Sequence, residues 1–499
     1  MAIKRGKAMG AALLVCCAFA VIAAGETGGI KSTRLTGWGA YQFGQIVRGS
    51  ADVQGPDLYN VWIQQAILQI TIDGIVHERG HCLLSFESMA NFSVPVVKND
   101  DATKGVSTFF YFHEVQGTYD WGDLKRPYLT LAFGYFPYKY NPDARNLGEY
   151  LFRSGTYPPF LINNFDFPMT RQLGAHVTGR WTPHNGLDLE GQFLLTSETQ
   201  QYPTKDFTLT CLPKVTLGNG LFEFQGGVSL AHFLSVDKKA TQPKDSRTLY
   251  LTNVVTDTAG FIISADSGYY TFAGTKLMGR FSLDPLKSLR TENDPTSLLW
   301  KDDLRLYGEA AILGLKNYPK SADQVTTYDT LSQRIPVMLG INLPTHQITN
   351  FLAPLVLGYG LEPINKNKFV RGAAFGAAGL LWAAGSWLGD RYLGWHSRFD
   401  LISFEWEWYG WKYPDDYRVA FDDMVPIPSN GLFNKNYGID DHKWSLYIKK
   451  DFLGVFSLRA ELARDHLRPV CNSIKPSYKG AVLTNPEHWF WMCKIFYGF

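Results

Sequence analysis

The sequence has little charge and few long apolar runs. Charged residues make up 19% of the 499 positions, against about 25% in ordinary soluble domains. The 48 basic and 46 acidic residues nearly cancel, which argues against a broad nucleic-acid-binding surface. The mean hydropathy of −0.13 argues against a helical multi-span membrane protein, which needs repeated apolar runs of about 20 residues. Aromatic residues, at 15%, are too abundant for a disordered chain.

Cysteines are also scarce and widely spaced. Two of the six lie in the N-terminal segment, and the other four are Cys82, Cys211, Cys471 and Cys493. This spacing excludes a CxxC zinc or redox motif. A Cys471–Cys493 disulfide is chemically feasible in an oxidising compartment, but we do not predict one, and we predict no metal site and no cofactor.

The N-terminus has the pattern of an export signal. Basic residues at positions 4, 5 and 7 precede an apolar stretch, Ala11–Ala24, that ends in small residues. This pattern is typical of a secretory signal peptide cleaved after Ala24. The alternative is a membrane anchor, but the stretch is short for a span. We therefore predict a signal peptide at residues 1–24 and one domain at residues 25–499.

The dominant period of the remaining chain is two. In the run LISFEWEWY at residues 401–409, Ile402, Phe404, Trp406 and Trp408 alternate with Ser403, Glu405 and Glu407. Successive side chains of a strand point to opposite faces of a sheet. One face of such a strand therefore suits hydrocarbon and the other suits water, which is the pattern of membrane-spanning strands.

About sixteen such runs follow one another. They lie near residues 35–47, 66–76, 81–92, 106–117, 127–137, 173–182, 187–195, 207–217, 221–234, 276–283, 304–312, 333–343, 401–409, 442–450, 456–464 and 489–499. Long loops are expected at 235–267, 285–300, 316–332, 411–440 and 467–487. The predicted fold is an all-β, antiparallel transmembrane β-barrel of about 16 strands with long outer loops. A soluble β-sandwich or β-propeller would also show period two, but no blade repeat of about 40–50 residues is visible.

The C-terminus supports the membrane interpretation. The chain ends HWFWMCKIFYGF, in which aromatic and apolar residues alternate up to Tyr497 and Phe499. This ending resembles the assembly signal of bacterial outer-membrane barrels, whose last strand carries a terminal aromatic residue and a second aromatic two positions earlier. The resemblance implies a location in the bacterial outer membrane.

One segment departs from the alternating pattern. Residues 373–388 contain no charge and many small residues, and residues 351–361 are similarly apolar. Two interpretations of 351–388 remain open. The segment forms either two lipid-facing strands or a short helical hairpin, whose helices the small residues would let pack closely.

Residues 77–81 match the zinc-protease motif HExxH. That chemistry needs a helix, because helical spacing places both imidazoles on one face. Alternating residues flank the motif on both sides, so we predict a β-hairpin with its turn at Gly80. Because the sequence contains no nucleophile elbow, phosphate-binding loop or dinucleotide fingerprint, we predict that the protein is not an enzyme.

The segment 129–180 carries the most functional information. A strand from Leu129 to Pro137 is separated by about 33 residues from a strand that begins at Arg171, and this gap is long for a hairpin loop. In the gap, Leu147, Tyr150, Leu151 and Ser154 recur at helical spacing, which predicts a short helix.

This layout resembles the bacterial porins, especially the group related to phosphate-selective porins. In that group a strand of the type G-x-F-x-x-P/K leads into a loop folded into the lumen, and an Arg-x-x-Gly strand follows. The matching residues are Gly134, Phe136, Pro137, Lys139, Arg171 and Gly174. The resemblance covers about a tenth of the chain plus the last strand, and the basic-rich lumen expected for phosphate is missing, so anion selectivity does not carry over.

The resemblance implies a channel for passive diffusion of small hydrophilic solutes, narrowed by an inward loop. Candidates for the constriction are Lys139, Arg145, Glu149 and Arg153. Candidates for the lumen lining are Arg180, Glu190, Lys276, Arg280, Arg305, Glu309, Glu405, Glu407, Arg459 and Glu461. The mixture of signs predicts weak selectivity. The alternatives are that the loop is a solvated outer loop and that the charges form structural ion pairs.

Expected partners are outer-membrane lipid, the barrel assembly machinery and small hydrophilic solutes, but not nucleic acid, and a homotrimer would be usual for a porin. A second hypothesis is a binding or adhesion protein whose long aromatic loops contact polysaccharide. Trp411, Tyr413 and Tyr417 would lie in one such loop.

Overall fold

The computed structural model describes most of the predicted barrel and part of its connections. The described residues are 32–50, 57–92, 107–151, 161–162, 169–197, 206–235, 249–256, 262–269, 275–287, 299–300, 302–312, 335–349, 398–413, 440–452, 454–464 and 487–499. The predicted signal peptide, Arg153, Tyr417, Cys471 and the segment 351–388 lie outside these residues.

Sixteen strands of the described chain build one barrel. They are β1 (Ser32–Ser50), β2 (Asp57–His77), β3 (Gly80–Asn91), β4 (Ser107–Gly122), β5 (Pro127–Tyr138), β7 (Met169–His184), β8 (Leu187–Ser197), β9 (Asp206–Leu217), β10 (Phe222–Ser235), β13 (Thr275–Leu283), β14 (Leu306–Ile312), β15 (Val337–Asn342), β16 (Leu401–Tyr413), β17 (Asp440–Phe452), β18 (Phe456–Arg464) and β19 (Trp489–Gly498). A two-residue strand, β6 (Leu161–Ile162), pairs with β7. Two further strands, β11 (Leu249–Thr256) and β12 (Ile262–Tyr269), form a separate hairpin. Residues 345–349 form a helical turn.

The sheet closes on itself. Each barrel strand pairs antiparallel with its neighbours, and β19 pairs with β1 to complete the ring. The fold prediction is therefore confirmed, since each of the sixteen alternating runs corresponds to one barrel strand. The prediction that 235–267 is only a loop is wrong, because this connection contains β11 and most of β12. Similarly, Trp411 and Tyr413 belong to β16 and not to a loop, because that strand extends further than its alternating run suggested.

The two ends of the barrel differ. We call the end where β1 begins and β19 ends the turn end. Five of its connections have four residues or fewer, and the connections from β2 to β3 and from β7 to β8 have two residues each. The connections at the opposite end, which we call the loop end, are mostly longer. The turn end also carries two long connections, between β13 and β14 and between β15 and β16.

Polarity is inverted relative to a soluble protein. On β16, Phe404 points outward and is 39% exposed, whereas Glu405 beside it is 1% exposed. On β13, Leu277 is 39% exposed and Lys276 is 2% exposed. The outer wall is thus apolar and the interior polar. Among the described residues, no helix is long and apolar enough to cross a membrane.

The last residue takes part in closing the barrel. The backbone N–H of Phe499 donates to the carbonyl of Gly37 at 2.9 Å, and the N–H of Gly37 donates back at 3.0 Å. A Cβ at position 37 would lie 2.6 Å from Cζ of the Phe499 ring. Glycine at position 37 therefore makes room for the terminal aromatic ring on β1.

The HExxH segment forms the predicted hairpin, but its turn is formed by residues 78 and 79 and not by Gly80. His77 ends β2, Gly80 begins β3, and the two residues pair across the turn. In the part of the chain that the structure describes, no group of three or more His, Cys, Asp or Glu side chains is placed to hold a metal ion. In the described part of the chain, Cys82, Cys211 and Cys493 form no disulfide with one another.

Candidate functional site

The connection that follows β5 crosses the inside of the barrel. We call its described part, residues 139–151, the inward loop. It bonds to β16, which lies eight strands from β5 in either direction around the ring. Since the contacted residues lie on the buried, interior face of β16, the loop must traverse the lumen to reach them. The alternative of a solvated outer loop is wrong for these residues, almost all of which are buried or half-buried.

Glu405 of β16 is the main attachment point of the loop. Its carboxylate accepts backbone N–H groups from three consecutive residues, Arg145, Asn146 and Leu147, the last two at 2.9 Å. Hydrogen bonds to a charged acceptor contribute about 1.5–3 kcal/mol each. A single side chain therefore fixes one turn of the loop against the opposite wall.

Two further interior glutamates hold the next residues. Glu407 of β16 accepts the N–H of Gly148 at 2.9 Å. Glu309 of β14 accepts the N–H of Tyr150 at 2.8 Å and the side-chain amide of Asn141, also at 2.8 Å. We call Glu309, Glu405 and Glu407 the acidic anchor, because all three are at most 3% exposed and receive loop donors.

These bonds also explain why the predicted helix does not form. Residues 141–151 are bends and turns in the structure. The backbone N–H groups of residues 145–148 and 150 donate to the acidic anchor, and Gly148 and Glu149 adopt positive φ angles of 73° and 61°, which a right-handed helix does not allow. The prediction of a short helix from Leu147 is therefore wrong in the described part.

The loop approaches the wall closely at Gly148. A Cβ there would lie 2.8 Å from Cδ of Glu309 and 2.9 Å from Cε of Met338. Both the positive φ angle and this lack of space favour glycine. The close approach is what allows the N–H of Gly148 to reach Glu407.

Tyr307 of β14 supports the acidic anchor from the side. Its hydroxyl donates to Oε1 of Glu405 at 2.8 Å and also contacts the hydroxyl of Ser403. The ring lies across Gly340 of β15, where any side chain would collide with it. Tyr307 thus spans three strands and orients the carboxylate that the loop uses.

Lysines complete the attachment of the loop. Lys139 pairs with Glu149 at 3.4 Å, and Glu149 also accepts the backbone N–H groups of Tyr140 and Asn141 at 3.0 and 2.7 Å. Burial lowers the pKa of Lys139, and the Glu149 carboxylate opposes that shift. From β13, Nζ of Lys276 donates to the carbonyls of residues 150 and 151 at 3.3 Å.

An apolar core lies between the loop and the wall. The loop contributes Tyr140, Ala144, Leu147, Tyr150 and Leu151, and the surrounding strands contribute Phe136, Tyr138, Leu194, Leu212, Met278, Tyr307, Ala311 and Met338. Burying one such side chain is worth about 1.5–3 kcal/mol. Leu147, Tyr150 and Leu151, which were expected on one helical face, are therefore buried together without a helix.

The other predicted lumen residues form separate groups. Glu190 of β8 pairs with Arg180 at 3.1 Å and with Lys214 at 3.2 Å. Arg280 donates to Gln225 at 2.6 Å. Arg305, beside the start of β14, pairs with Asp143 of the loop at 3.0 Å.

A basic group lies on β17 to β19. Arg459 of β18 stands directly opposite Lys449 of β17 on one side and Lys494 of β19 on the other. Glu461 of β18 is buried on the same face. We call Lys449, Arg459 and Lys494 the basic row. Sequence reasoning missed Lys449 and Lys214, although the alternation within 442–450 and 207–217 could have identified both.

The two halves of the porin-like motif are neighbours in the barrel. Gly134 of β5 pairs with Gly174 of β7, and Pro137 pairs with Arg171. That the predicted constriction and lumen residues line a solute path stays a prediction.

Comparisons with known proteins give only distant similarities. No family model matches the chain, and no curated protein matches it. Among solved structures, a triple mutant of the Rhodopseudomonas blastica porin is 7% identical, with a TM-score of 0.36, 94% of this chain covered and 100% of that chain covered. Pseudomonas putida OprB at high pH is 10% identical, with a TM-score of 0.40, 96% of this chain covered and 95% of that chain covered.

Proposed function

We propose that this chain is an outer-membrane channel for passive diffusion of small hydrophilic solutes. The observation that carries the proposal is the inward loop, which crosses a closed barrel whose interior is lined by polar side chains. A barrel built only for binding at its rim would need neither a polar interior nor a loop fixed across it.

The outer wall supports a membrane location. Large apolar side chains are exposed on strands around the ring, for example Leu68 of β2, Leu339 of β15 and Leu458 of β18. Contiguous apolar surface of this kind is rare on soluble monomers and is the lipid-facing pattern of membrane barrels. The aromatic C-terminal strand and the N-terminal signal at residues 1–24 are consistent with export and barrel assembly.

The loop gives the channel a constriction. In a pore, the width at the narrowest point and the charges there decide which solutes pass. Lys139 and Glu149 are paired with each other at the loop base, so they act in positioning the loop. Arg145 is half-buried, and its bond to Glu405 is made by its backbone N–H and not by its side chain, so its side chain is the loop cation that we assign to contact with solutes.

Planar-bilayer recordings test the proposal. The full chain, refolded in detergent and checked for heat-dependent gel mobility, should give stable single-channel steps in KCl. Refolded barrel that inserts into the bilayer but never conducts would contradict the proposal. Liposome-swelling assays with sugars of increasing size would then measure the width of the constriction.

A further inference from the structure

We propose that Arg305 is a positioning residue that couples the inward loop to the connections at the turn end, so that the turn end helps to set the width of the constriction. The inference rests on the proposed channel function and names a way in which that channel is regulated. A structural change at the turn end would alter the position of the loop, even though the loop enters the barrel from the opposite end.

The guanidinium of Arg305 contacts carboxylates from three separate positions in the chain. Nη1 lies 3.0 Å from Oδ1 of Asp143 in the inward loop and 3.7 Å from Oδ1 of Asp302. Nη2 lies 3.5 Å from Oδ2 of Asp284, the residue that follows β13. A guanidinium can contact several carboxylates at once because it carries five N–H donors in a fixed plane. Arg305 therefore joins the loop to both ends of the connection between β13 and β14.

Arg305 keeps two carboxylate partners even when the loop leaves. The side chain of Asp284 is 2% exposed and that of Asp302 is 28% exposed, and both belong to the turn end. Burial disfavours the charged form of Arg305, but the carboxylates of Asp143, Asp302 and Asp284 together raise its pKa above the ordinary value. The pair with Asp143 can therefore break while the guanidinium stays charged and paired at the turn end.

The loop holds Asp143 in a defined position. The backbone N–H of Asp143 donates to Oδ1 of Asn141 at 3.2 Å, and the side-chain amide of Asn141 donates to Glu309 of the acidic anchor at 2.8 Å. The Asp143 side chain is only 11% exposed, and salt screens partly buried pairs less than exposed ones. A displacement of Arg305 therefore acts on Asp143 directly and on the acidic anchor through Asn141.

The backbone conformation just before Arg305 is strained. Leu304 has a φ angle of 59°, in the left-handed region that a bulky residue rarely adopts. Such a conformation persists only where the surrounding structure imposes it. Here the N–H of Leu304 donates to the carbonyl of Asn342 at 2.9 Å, and the N–H of Asn342 donates to the carbonyl of Arg305 at 2.9 Å. These two bonds tie the backbone of Arg305 to the end of β15.

Asp303 ties the same turn to the connection between β15 and β16. Its carboxylate accepts the N–H of Trp300 at 2.9 Å and the N–H and hydroxyl of Thr345 at 3.2 and 3.3 Å. Thr345 begins the helical turn at residues 345–349. The hydroxyl of Thr349, at the end of that turn, accepts the N–H of Phe399 at 3.2 Å, shortly before β16. Both long connections of the turn end are therefore joined at this turn.

Trypsin digestion in detergent and single-channel recording of the refolded full chain test the inference. In Arg305→Gln the loop loses its link to the turn end and should leave the wall more often. Cleavage after Arg145 and the time spent in high-conductance sub-states should each rise about fivefold, between the effects expected for an exposed ion pair and for a buried charged hydrogen bond. Arg305→Lys keeps the charge but not the planar group, so its values should fall between those of wild type and Arg305→Gln.

The coupling is tested by changing the turn end without changing the loop. Asp303→Asn weakens the contacts with Trp300 and Thr345 and should increase cleavage of the loop when Asp143 is intact. In an Asp143→Asn background the same change should have no further effect, because the link between turn end and loop is already broken. A general loss of stability would instead add to the effect of Asp143→Asn.

Arg126→Gln is the matched control, because it breaks another arginine–aspartate pair at the turn end, with Asp188 at 2.6 Å, that does not involve the loop. It should leave digestion and conductance unchanged. Unchanged digestion in Arg305→Gln, or additive effects of Asp303→Asn and Asp143→Asn, would overturn the inference alone. Folded, inserted wild-type protein without channels would overturn the proposed function, and the digestion results would still decide whether the turn end positions the loop.

Discussion

On the wall formed by β14 to β16, the interior carboxylates are buried against the inward loop. On the wall formed by β17 to β19, in contrast, the cations Lys449 and Arg459 remain partly open to water. Both sets point inward for the same reason, the two-residue period of their strands. They differ in what covers them. A charge in a barrel wall acts on a passing solute only where water and ions can reach it.

The largest change is expected when the acidic anchor loses Glu405. In Glu405→Ala, three backbone N–H groups and the Tyr307 hydroxyl lose their acceptor, and each buried unsatisfied donor costs about 1–3 kcal/mol. The loop should leave the wall, and single-channel conductance should rise with larger current noise. Glu190→Ala, which removes an interior carboxylate that has no bond to the loop, serves as the control. Equal conductance in Glu405→Ala and wild type would show that the loop does not depend on this anchor.

A smaller change is expected when a larger residue displaces Tyr307, whose hydroxyl supports the acidic anchor. In Gly340→Val the added side chain would collide with the Tyr307 ring, so Tyr307 must rotate away from Glu405. Overpacking of this kind typically costs about 1–3 kcal/mol. We expect the loop to become more susceptible to protease in detergent. Gly39→Ala is the control, because its new Cβ would meet only a carbonyl oxygen at 3.9 Å. Equal digestion rates of the loop in both variants would exclude Tyr307 as its support.

Ionic strength should affect the charges of the two walls differently. The Debye screening length shortens from about 10 Å at 0.1 M salt to about 3 Å at 1 M, and salt screens mainly the accessible charges. The effect of the accessible cations Lys449 and Arg459 on ion selectivity should therefore fall as KCl rises from 0.1 to 1 M, while the protease resistance of the loop stays constant. A loop that is released by salt would mean that its attachment is exposed and not buried.

The smallest effect is expected for Tyr307→Phe. The ring remains across Gly340, and only the hydroxyl bond to Glu405 is lost, which costs about 1–2 kcal/mol. Conductance should stay near the wild-type value, and the temperature at which the channel current becomes noisy should fall slightly. If the Tyr307→Phe channel conducted as much as the Glu405→Ala channel, Tyr307 and not Glu405 would make the main attachment of the inward loop.

Alternation in the sequence was enough to predict the sixteen strands and the inward direction of Glu405, Glu407 and Glu309. It could not predict what those carboxylates bind, because their partners in the loop lie 159 to 260 residues away in the chain. The same distant partners overrode the local helical spacing around Leu147. The basic row was also hidden, since it depends on register between three strands and not on any one of them.

The most direct measurement compares the matched variants Glu407→Gln and Arg459→Gln by reversal potential in a KCl gradient. Each removes one interior charge and keeps a polar side chain of similar size, and glutamine at position 407 retains an oxygen that can accept the N–H of Gly148. Because Glu407 is covered by the loop and Arg459 is half-buried, only Arg459→Gln should shift selectivity, and the shift should be toward potassium. Equal and opposite shifts in the two variants would contradict the account, since both charges would then face the ion path.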